Sequence, residues 1–300
     1  MTQFNSAREC RFSRLLAFLW LSALFAIQAT AQSQSQPPYT PPPPPPPVAN
    51  QSNAPAPPPA PASLKPKQLD QLVARIALYP DPLLAQILAA STYWDQIPEA
   101  SAWANQHSYL KGDALANAIR EDNLQWDPSV LALMPFPSVL TMMAQDPAWT
   151  QELGNAVLAN RADVMDAVQR MRKEARKYGY LQTSPYDQVV DSGGYVEILP
   201  VNPAYIYVPT YNPLVVFGPP APGFFIGGAI RFGPGIVIGT GFYPWGWAHP
   251  YFAWGSHLMF FDETPWGRGW VNRGYYAHPY AHSWAHGFGP RVEHHSFERR

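Results

Sequence analysis

The sequence predicts an α+β protein, in which a compact multi-helix domain is followed by a short antiparallel β segment. Two observations predict this fold class. Between residues 66 and 180, apolar residues recur every three to four positions, which is the period of an α-helix. After residue 180, short runs of β-branched and aromatic residues alternate with turn residues, which is typical of strands. A disordered proline-rich linker precedes these regions, and an irregular glycine- and aromatic-rich tail follows them.

Residues 1–31 have the three parts of a secretory signal peptide. The segment carries Arg8, Arg11 and Arg14 before an uncharged apolar run from Leu15 to Ile27. The small residues Ala29 and Ala31 mark a cleavage site. The apolar run is shorter than the roughly 20 residues that span a bilayer. We therefore expect cleavage after Ala31 and export to the periplasm or cell envelope.

The only cysteine, Cys10, lies inside this leader, so the mature chain contains none. We therefore expect no disulfide, no thiol catalysis, no cysteine-ligated zinc and no lipid anchor at the cleavage site. The leader also carries three of the 20 basic residues and one of the 21 acidic ones, which leaves a weakly acidic mature chain. We expect no nucleic-acid partner, because such a partner requires a clustered basic surface.

Residues 32–65 form the proline-rich linker. Between Pro37 and Pro61 there are 14 prolines, seven of them consecutive at 41–47. Such a stretch cannot bury apolar surface, and it favours an extended polyproline II conformation. We interpret it as a tether; a ligand for a proline-binding domain is the alternative.

Residues 66–180 are predicted to form the helical domain. Its first helix carries one apolar stripe, made of Leu69, Leu72, Val73, Ile76 and Ala77. Later helices begin at aspartate–proline pairs, because aspartate caps free N–H groups and proline fits the first helical position. These pairs are Asp81-Pro82, Asp127-Pro128 and Asp146-Pro147. Capping accounts for the three carboxylates, so we assign them no acid or base role.

The last helix of the domain is predicted from Arg161 to Tyr178. Its apolar side consists of Val164, Ala167, Val168 and Met171. Its other side is mostly charged and consists of Arg170, Arg172, Lys173, Glu174, Arg176 and Lys177. We expect a solvated helix face, with cations near the favourable C-terminal end. A docking surface for anionic lipid or glycan is the alternative.

Residues 181–217 are predicted to form a β-hairpin that completes the domain. The runs 195–199 and 205–208 are rich in tyrosine, valine and isoleucine, and prolines with an asparagine separate them. We expect these two runs to be the paired strands.

Five strings carry a family resemblance: RIALYPDPLL (75–84), AASTY (89–93), WDPSV (126–130), DVMDAVQRMR (163–172) and IYVPTYNP (206–213). In order and spacing they resemble a bacterial family of exported proteins of unknown function, over roughly residues 66–215. The resemblance implies an envelope protein with a variable C-terminal region and a glycine-rich hydrophobic stretch associated with membranes. It implies no activity, cofactor or catalytic residue.

The glycine-rich hydrophobic segment 218–243 has two interpretations. Small residues at four-residue spacing suit a packed membrane helix over 224–243, although Arg231 would be costly there. The same residues fit a β-hairpin with strands 226–232 and 236–242. Peripheral or packed β structure is favoured over a membrane span.

Residues 244–300 form the predicted aromatic- and histidine-rich tail. The tryptophans of this tract are Trp245, Trp247, Trp254, Trp266, Trp270 and Trp284. We interpret them as packing anchors of an irregular fold or as part of a low-complexity tail; contact with a membrane interface or a glycan is the alternative. The histidines His278, His282 and His286 have metal-ligand spacing on a helix, but neighbouring proline and glycine disfavour a helix, so solvated histidines are expected.

No nucleophile elbow, zinc-protease, phosphate-loop or dinucleotide motif is present. The sequence therefore predicts no catalytic, cofactor-binding or metal-binding residue. It favours a non-enzymatic binding or structural module of the cell envelope whose partner is a protein, a glycan or a membrane surface. A membrane protein anchored through 224–243 and a cell-wall or glycan hydrolase are the alternatives.

Overall fold

The computed structural model describes residues 64–220, 222 and 226–267. The predicted signal peptide, residues 32–63 of the linker, Trp270, Trp284 and the histidines His278, His282 and His286 lie outside the described residues. Within them, helices and small antiparallel sheets are both present, which confirms the α+β fold class.

Seven helices make up the first part of the described chain. They are α1 (Pro66–Val73), α2 (Asp81–Ser91), α3 (Ile97–Gln106), α4 (Gly112–Glu121), α5 (Pro128–Leu131), α6 (Pro137–Gln145) and α7 (Pro147–Lys177). All of them except α4 have proline in the first turn, where the missing N–H removes no helical hydrogen bond. Proline placement therefore sets where most of these helices begin.

Helix α2 lies at the centre of the core. Every residue from Leu83 to Ser91 is buried, and the helix contacts α5, α7 and strands that follow later in the chain. A helix that is apolar on all sides belongs in the interior. Around it, α1 packs along α7, and α3 packs against α6.

Helix α7 consists of two helical halves separated at Asn160. This residue has an extended backbone (φ −158°, ψ 89°), and its side-chain oxygen accepts from the backbone N–H of Asp163 at 3.4 Å. Asn160 thus caps the second half, as an N-terminal asparagine commonly does. The sequence correctly predicted a helix beginning at Arg161.

Among the described residues, the strands after α7 form four small antiparallel sheets. Strand β1 (Asp187–Ser192) pairs with β2 (Tyr195–Pro200), β3 (Tyr205–Ile206) with β6 (Ile236–Val237), and β4 (Pro209–Tyr211) with β5 (Ile230–Phe232). The fourth sheet consists of β7 (Tyr251–Ala253), β8 (Leu258–Phe261) and β9 (Thr264–Pro265). A one-turn helix α8 (Pro213–Val216) follows β4, and a 3₁₀ helix covers Thr240–Trp245.

Two predicted strand pairings are wrong. The run 195–199 pairs backward with β1, because Gly193 and Gly194 both have positive φ and close a two-residue turn. Strands β5 and β6 do not pair with each other, since each completes a sheet with an earlier strand. The predicted hairpin 226–232/236–242 is therefore absent, although this segment is packed β structure as favoured.

No helix among the described residues is both long and apolar enough to cross a membrane. The predicted membrane helix over 224–243 is therefore not supported: its described part consists of β5, β6 and 3₁₀ turns, and Phe242 is fully buried in the protein core.

The first part of the predicted tail completes the core. Four of its six tryptophans are buried there, namely Trp245, Trp247, Trp254 and Trp266. The indole N–H of Trp247, for example, donates to the carbonyl of Ala132 at 2.8 Å. The interpretation of these four rings as packing anchors is confirmed.

Candidate functional site

Among the charged residues that the structure describes, Arg172 is the most deeply buried, and its side chain is 0% exposed. It donates to Asp81 Oδ1 at 2.6 Å and to the carbonyls of Ala77 (2.8 Å), Tyr79 (3.0 Å) and Val196 (2.8 Å). A buried arginine is tolerated when its N–H groups are paired in this way. We call Arg172, Asp81 and the groups bonded to them the arginine centre.

Asp81 is held from two further sides. The indole Nε1 of Trp254 donates to Asp81 Oδ2 at 3.0 Å, and the backbone N–H of Ile198 approaches Asp81 Oδ1 at 3.3 Å. The Trp254 ring also lies 5.0 Å from the guanidinium carbon of Arg172, within cation–π range. The centre therefore joins α2 and α7 to β2 and to the end of β7.

Two sequence predictions fail at this centre. Asp81 makes no capping hydrogen bond, because Pro80 is the cap of α2 and the carboxylate points into the core toward Arg172. Arg172 is not part of a solvated face, since it lies one turn from Val168 on the buried side of α7. By contrast, Asp127 and Asp146 do accept from backbone N–H groups of their helices, as predicted.

A second layer surrounds the arginine centre. The Gln169 amide accepts from the N–H of Val196 at 2.7 Å and donates to the same residue's carbonyl at 3.1 Å. The Tyr211 hydroxyl donates to the carbonyl of Ala74 at 3.0 Å and accepts from the N–H of Leu78 at 3.3 Å. Three of the five strings that carry the family resemblance thus meet in one buried network.

Burial perturbs the ionisable groups beside the centre. Burial raises the pKa of Asp187 to about 7, the charge of Arg172 opposes this, and the charge of Asp81 adds to it. Asp187 Oδ1 has no hydrogen-bond partner among the described residues. Burial also raises the pKa of Tyr79 to about 12 and that of Tyr211 well above 10. Both phenols therefore stay protonated at neutral pH and act as hydrogen-bonding groups.

The rest of the charged side of α7 is exposed and paired. Its ion pairs are Arg170–Asp70 at 2.7 Å, Arg176–Asp191 at 2.9 Å and Lys177–Glu174 at 3.3 Å. Lys173 lies 6.0 Å from the ring centre of Tyr195. Apart from Arg172, this side is the solvated helix face that the sequence predicted, and most of its cations already have an acidic neighbour.

An open groove lies between α1 and the first half of α7. Its volume is about 280 Å³. Two leucines, Leu64 and Leu69, line one side. One stripe of small and polar α7 residues lines the other, namely Ala148, Gln151, Glu152, Asn155, Ala156, Ala159, Asn160 and Asp163. Hydrogen bonds from Trp149 Nε1 to the Leu72 carbonyl (2.9 Å) and the Arg170–Asp70 pair fix α1 along α7 and so define this α1–α7 groove.

A second, polar recess of about 370 Å³ lies at the break in α7, between Arg161 and the β7–β8 connection. Arg161 donates to the carbonyls of His257 (2.9 Å) and Trp266 (2.8 Å), and burial lowers its pKa. His257 Nε2 lies 2.9 Å from Asp166 Oδ1. These contacts fasten the β7–β9 sheet to α7, so the polar groups of the recess already serve the fold.

The sequence predicted neither the arginine centre nor the α1–α7 groove. The groove had one visible signal: alanine, glutamine and asparagine occupy the α7 positions that line it, where a closed interface would carry larger apolar residues. His107, the only histidine of the helical domain, is half-buried and stacks on Trp103 with ring centres 3.8 Å apart. Within the described ranges, no three His, Cys, Asp or Glu side chains lie close enough to hold a metal ion.

The family match extends well beyond the predicted boundary at residue 215. The uncharacterized protein YacH of Escherichia coli (strain K12) is 36% identical over 183 residues, which cover 50% of this chain and 29% of the relative. This chain therefore spans less than a third of that relative's length. No solved structure matches this chain. A family model described as a protein of unknown function, DUF3300, matches residues 65–286, a range that includes the four buried tryptophans. The chain therefore belongs to the DUF3300 family of proteins of unknown function.

Proposed function

We propose that this protein is exported and that its folded unit is a non-enzymatic binding module of the bacterial cell envelope. The observation that carries the proposal is the α1–α7 groove, an open cavity of about 280 Å³ with an apolar floor and a polar rim. A concave surface with this composition is the usual form of a binding site. The signal-peptide pattern of residues 1–31 supports export.

Three carboxylates that could have served as acids or bases already make structural hydrogen bonds, which supports binding rather than catalysis. Asp81 is held by Arg172 and Trp254, while Asp127 and Asp146 accept hydrogen bonds at helix starts. A general acid or base must reach the proton that it transfers. These carboxylates are instead used for helix capping and for the ion pair of the arginine centre.

The lining of the groove suits a polypeptide partner in an extended conformation. Methyl groups of Ala148, Ala156 and Ala159 let a bound chain approach the helix closely, and Leu69 supplies apolar contact. The amide side chain of Gln151 can exchange hydrogen bonds with a peptide backbone. We therefore infer a segment of an envelope protein as the partner.

Export is tested by identifying the N-terminal residue of the protein in fractionated cells. The full gene product is expressed in its native host, the cells are fractionated, and the N-terminal peptide is identified by mass spectrometry. We expect the chain in the envelope fractions with Gln32 as its first residue. An intact leader on cytoplasmic protein would contradict export.

Binding is tested by crosslinking in cells. A photoreactive amino acid is placed at Gln151, an exposed residue of the groove, or at Lys173, an exposed residue farther along the same helix. We expect a discrete adduct with an envelope protein from position 151 and none from position 173. Equal adducts from both positions, or adducts with lipid or glycan only, would contradict a protein partner in the groove.

A further inference from the structure

We propose that residues 56–63 of this chain occupy the α1–α7 groove when no partner is bound. The inference deepens the proposed function, because it names an occupant of the same groove. With this occupant, the groove is a site for extended, proline-rich segments. The end of the linker that adjoins the folded unit is then bound to that unit.

The position of the linker supports this occupant. Leu64 is the first residue that the structure describes, and its side chain lines the groove. The preceding residues are therefore joined directly to the cavity. A segment tethered so closely has an effective concentration in the millimolar range, so weak contacts are sufficient for docking.

The lengths also match. From Ala148 to Asn160 the groove follows 12 helical steps of α7, which is about 18 Å at 1.5 Å per residue. About six residues of polyproline II cover that distance at 3.1 Å each. Residues 56–63 supply these six and leave two for the turn next to Leu64.

The chemistry of the segment fits the lining. Its sequence, APPPAPAS, has no charge, and its four prolines present rings to the apolar floor while lacking backbone N–H donors. The free groups of such a segment are carbonyl oxygens. The side-chain amides of Gln151 and Asn155 line the groove and can donate to those carbonyls. Extended proline-rich chains commonly bind shallow apolar grooves because little conformational entropy is lost.

The other end of the described chain is a poorer occupant. The described chain ends at Gly267, and Trp266 is held by Arg161 next to the polar recess rather than in the groove.

The test uses cysteine labelling, because the mature chain contains no cysteine of its own. Gln151→Cys reports on the groove, and Lys173→Cys is the matched control on the same helix. Each is made in purified mature protein with the native linker and with residues 56–62 replaced by a glycine–serine segment of equal length. We expect the replacement to accelerate maleimide labelling at position 151 about tenfold, as release of a segment docked nine-tenths of the time would do. Labelling at position 173 should not change.

Equal labelling rates at position 151 with both linkers would overturn the proposal. A photoreactive residue at position 151 provides the second measurement. We expect it to crosslink within the chain to residues 56–63, whereas crosslinks to residues 268–300, or concentration-dependent crosslinks to a second copy, would also overturn the proposal. Both measurements use purified protein without a partner, so their failure is distinguishable from failure of the cellular crosslinking that tests the proposed function.

Discussion

The two halves of α7 are both helical, but one half faces a closed core and the other faces an open groove. The half after Asn160 directs Arg172 into the core, where its guanidinium is paired with a carboxylate and three carbonyls. The half before Asn160 presents alanines and amides to an open groove. The first region is closed and leaves no room for a ligand, and the second is open and leaves its lining side chains available.

The residues that carry the family resemblance therefore differ from the residues that we propose to bind a partner. The strings RIALYPDPLL, DVMDAVQRMR and IYVPTYNP meet at the arginine centre and its second layer, so the resemblance rests largely on residues that hold the fold together. Of the ten residues in DVMDAVQRMR, only the first, Asp163, lines the groove. Substitutions in the centre should therefore change stability, and substitutions in the groove should change binding.

The largest effect is expected from Arg172→Met. The variant leaves Asp81 buried without its cation and removes the donors of three carbonyls, so we expect a loss of about 3–5 kcal/mol in the free energy of unfolding. The matched control is Arg176→Met, which breaks the exposed ion pair with Asp191 on the same helix and should cost about 0–1 kcal/mol. Urea denaturation measures both variants. Equal losses would show that the centre is no more important than a surface pair.

A pH-dependent effect is expected at Asp187. Because burial raises its pKa from 3.8 in the unfolded chain to about 7 in the folded protein, the folded state holds this proton more tightly. The contribution of this carboxyl to stability is therefore greatest below pH 4, falls as the pH rises toward 7, and is lost above it. Asp187→Asn should remove this slope and stabilise the protein at pH 8, by up to about 4 kcal/mol.

The pH prediction is checked by unfolding curves between pH 4 and pH 8. Asp191→Asn is the control, since Asp191 lies in the same strand but is exposed. The raised pKa of buried Asp187 would be contradicted if Asp187→Asn were less stable than the wild type at pH 8. It would also be contradicted if the variant kept the wild-type dependence of stability on pH.

A smaller effect is expected from Trp254→Phe. The variant keeps most of the buried ring but removes the N–H that donates to Asp81 Oδ2, and we expect it to cost about 1–3 kcal/mol. Trp103→Phe removes a similar indole hydrogen bond to Asp122 on an exposed surface and should cost less than about 1 kcal/mol. The midpoints of urea denaturation of the two variants are compared. A larger loss of stability in Trp103→Phe than in Trp254→Phe would contradict the role assigned to Trp254.

The smallest effect on stability is expected in the groove. Ala148→Trp places a large ring at one end of the groove from an exposed position, so the free energy of unfolding should change by no more than about 0.5 kcal/mol. The same substitution should abolish the cellular crosslink from position 151, because the ring fills the partner's space. Ala114→Trp, at an exposed position of α4, is the control and should leave the crosslink intact.

Local patterns predicted the helices better than they predicted contacts between distant residues. Proline and capping residues mark helix starts within a few positions, so the helix that begins at Arg161 and the caps at Asp127 and Asp146 could be found from the sequence. Asp81 stands before a proline just as the other two do, yet its carboxylate binds Arg172, 91 positions later in the chain. Nothing in the local pattern distinguishes the two uses of an aspartate.

The strands and the groove show the same limit. Strand β6 pairs with β3 across about 30 residues, and such a pairing depends on packing against the helical core rather than on a turn sequence. The groove results from the spacing between α1 and α7, and a run of alanine, glutamine and asparagine on one helix does not determine that spacing. The tryptophans were recognised as packing anchors, but the core that they fill was not predictable from their positions.

The central claim is that the arginine centre supports the fold while the α1–α7 groove binds the partner. The most direct measurement is the yield of the cellular crosslink from position 151 in Trp254→Phe and Ala148→Trp, each relative to the unsubstituted protein. We predict that Trp254→Phe, although less stable, keeps the crosslink, and that Ala148→Trp, although as stable as the unsubstituted protein, loses it. A crosslink that is lost in folded Trp254→Phe and kept in Ala148→Trp would contradict the claim.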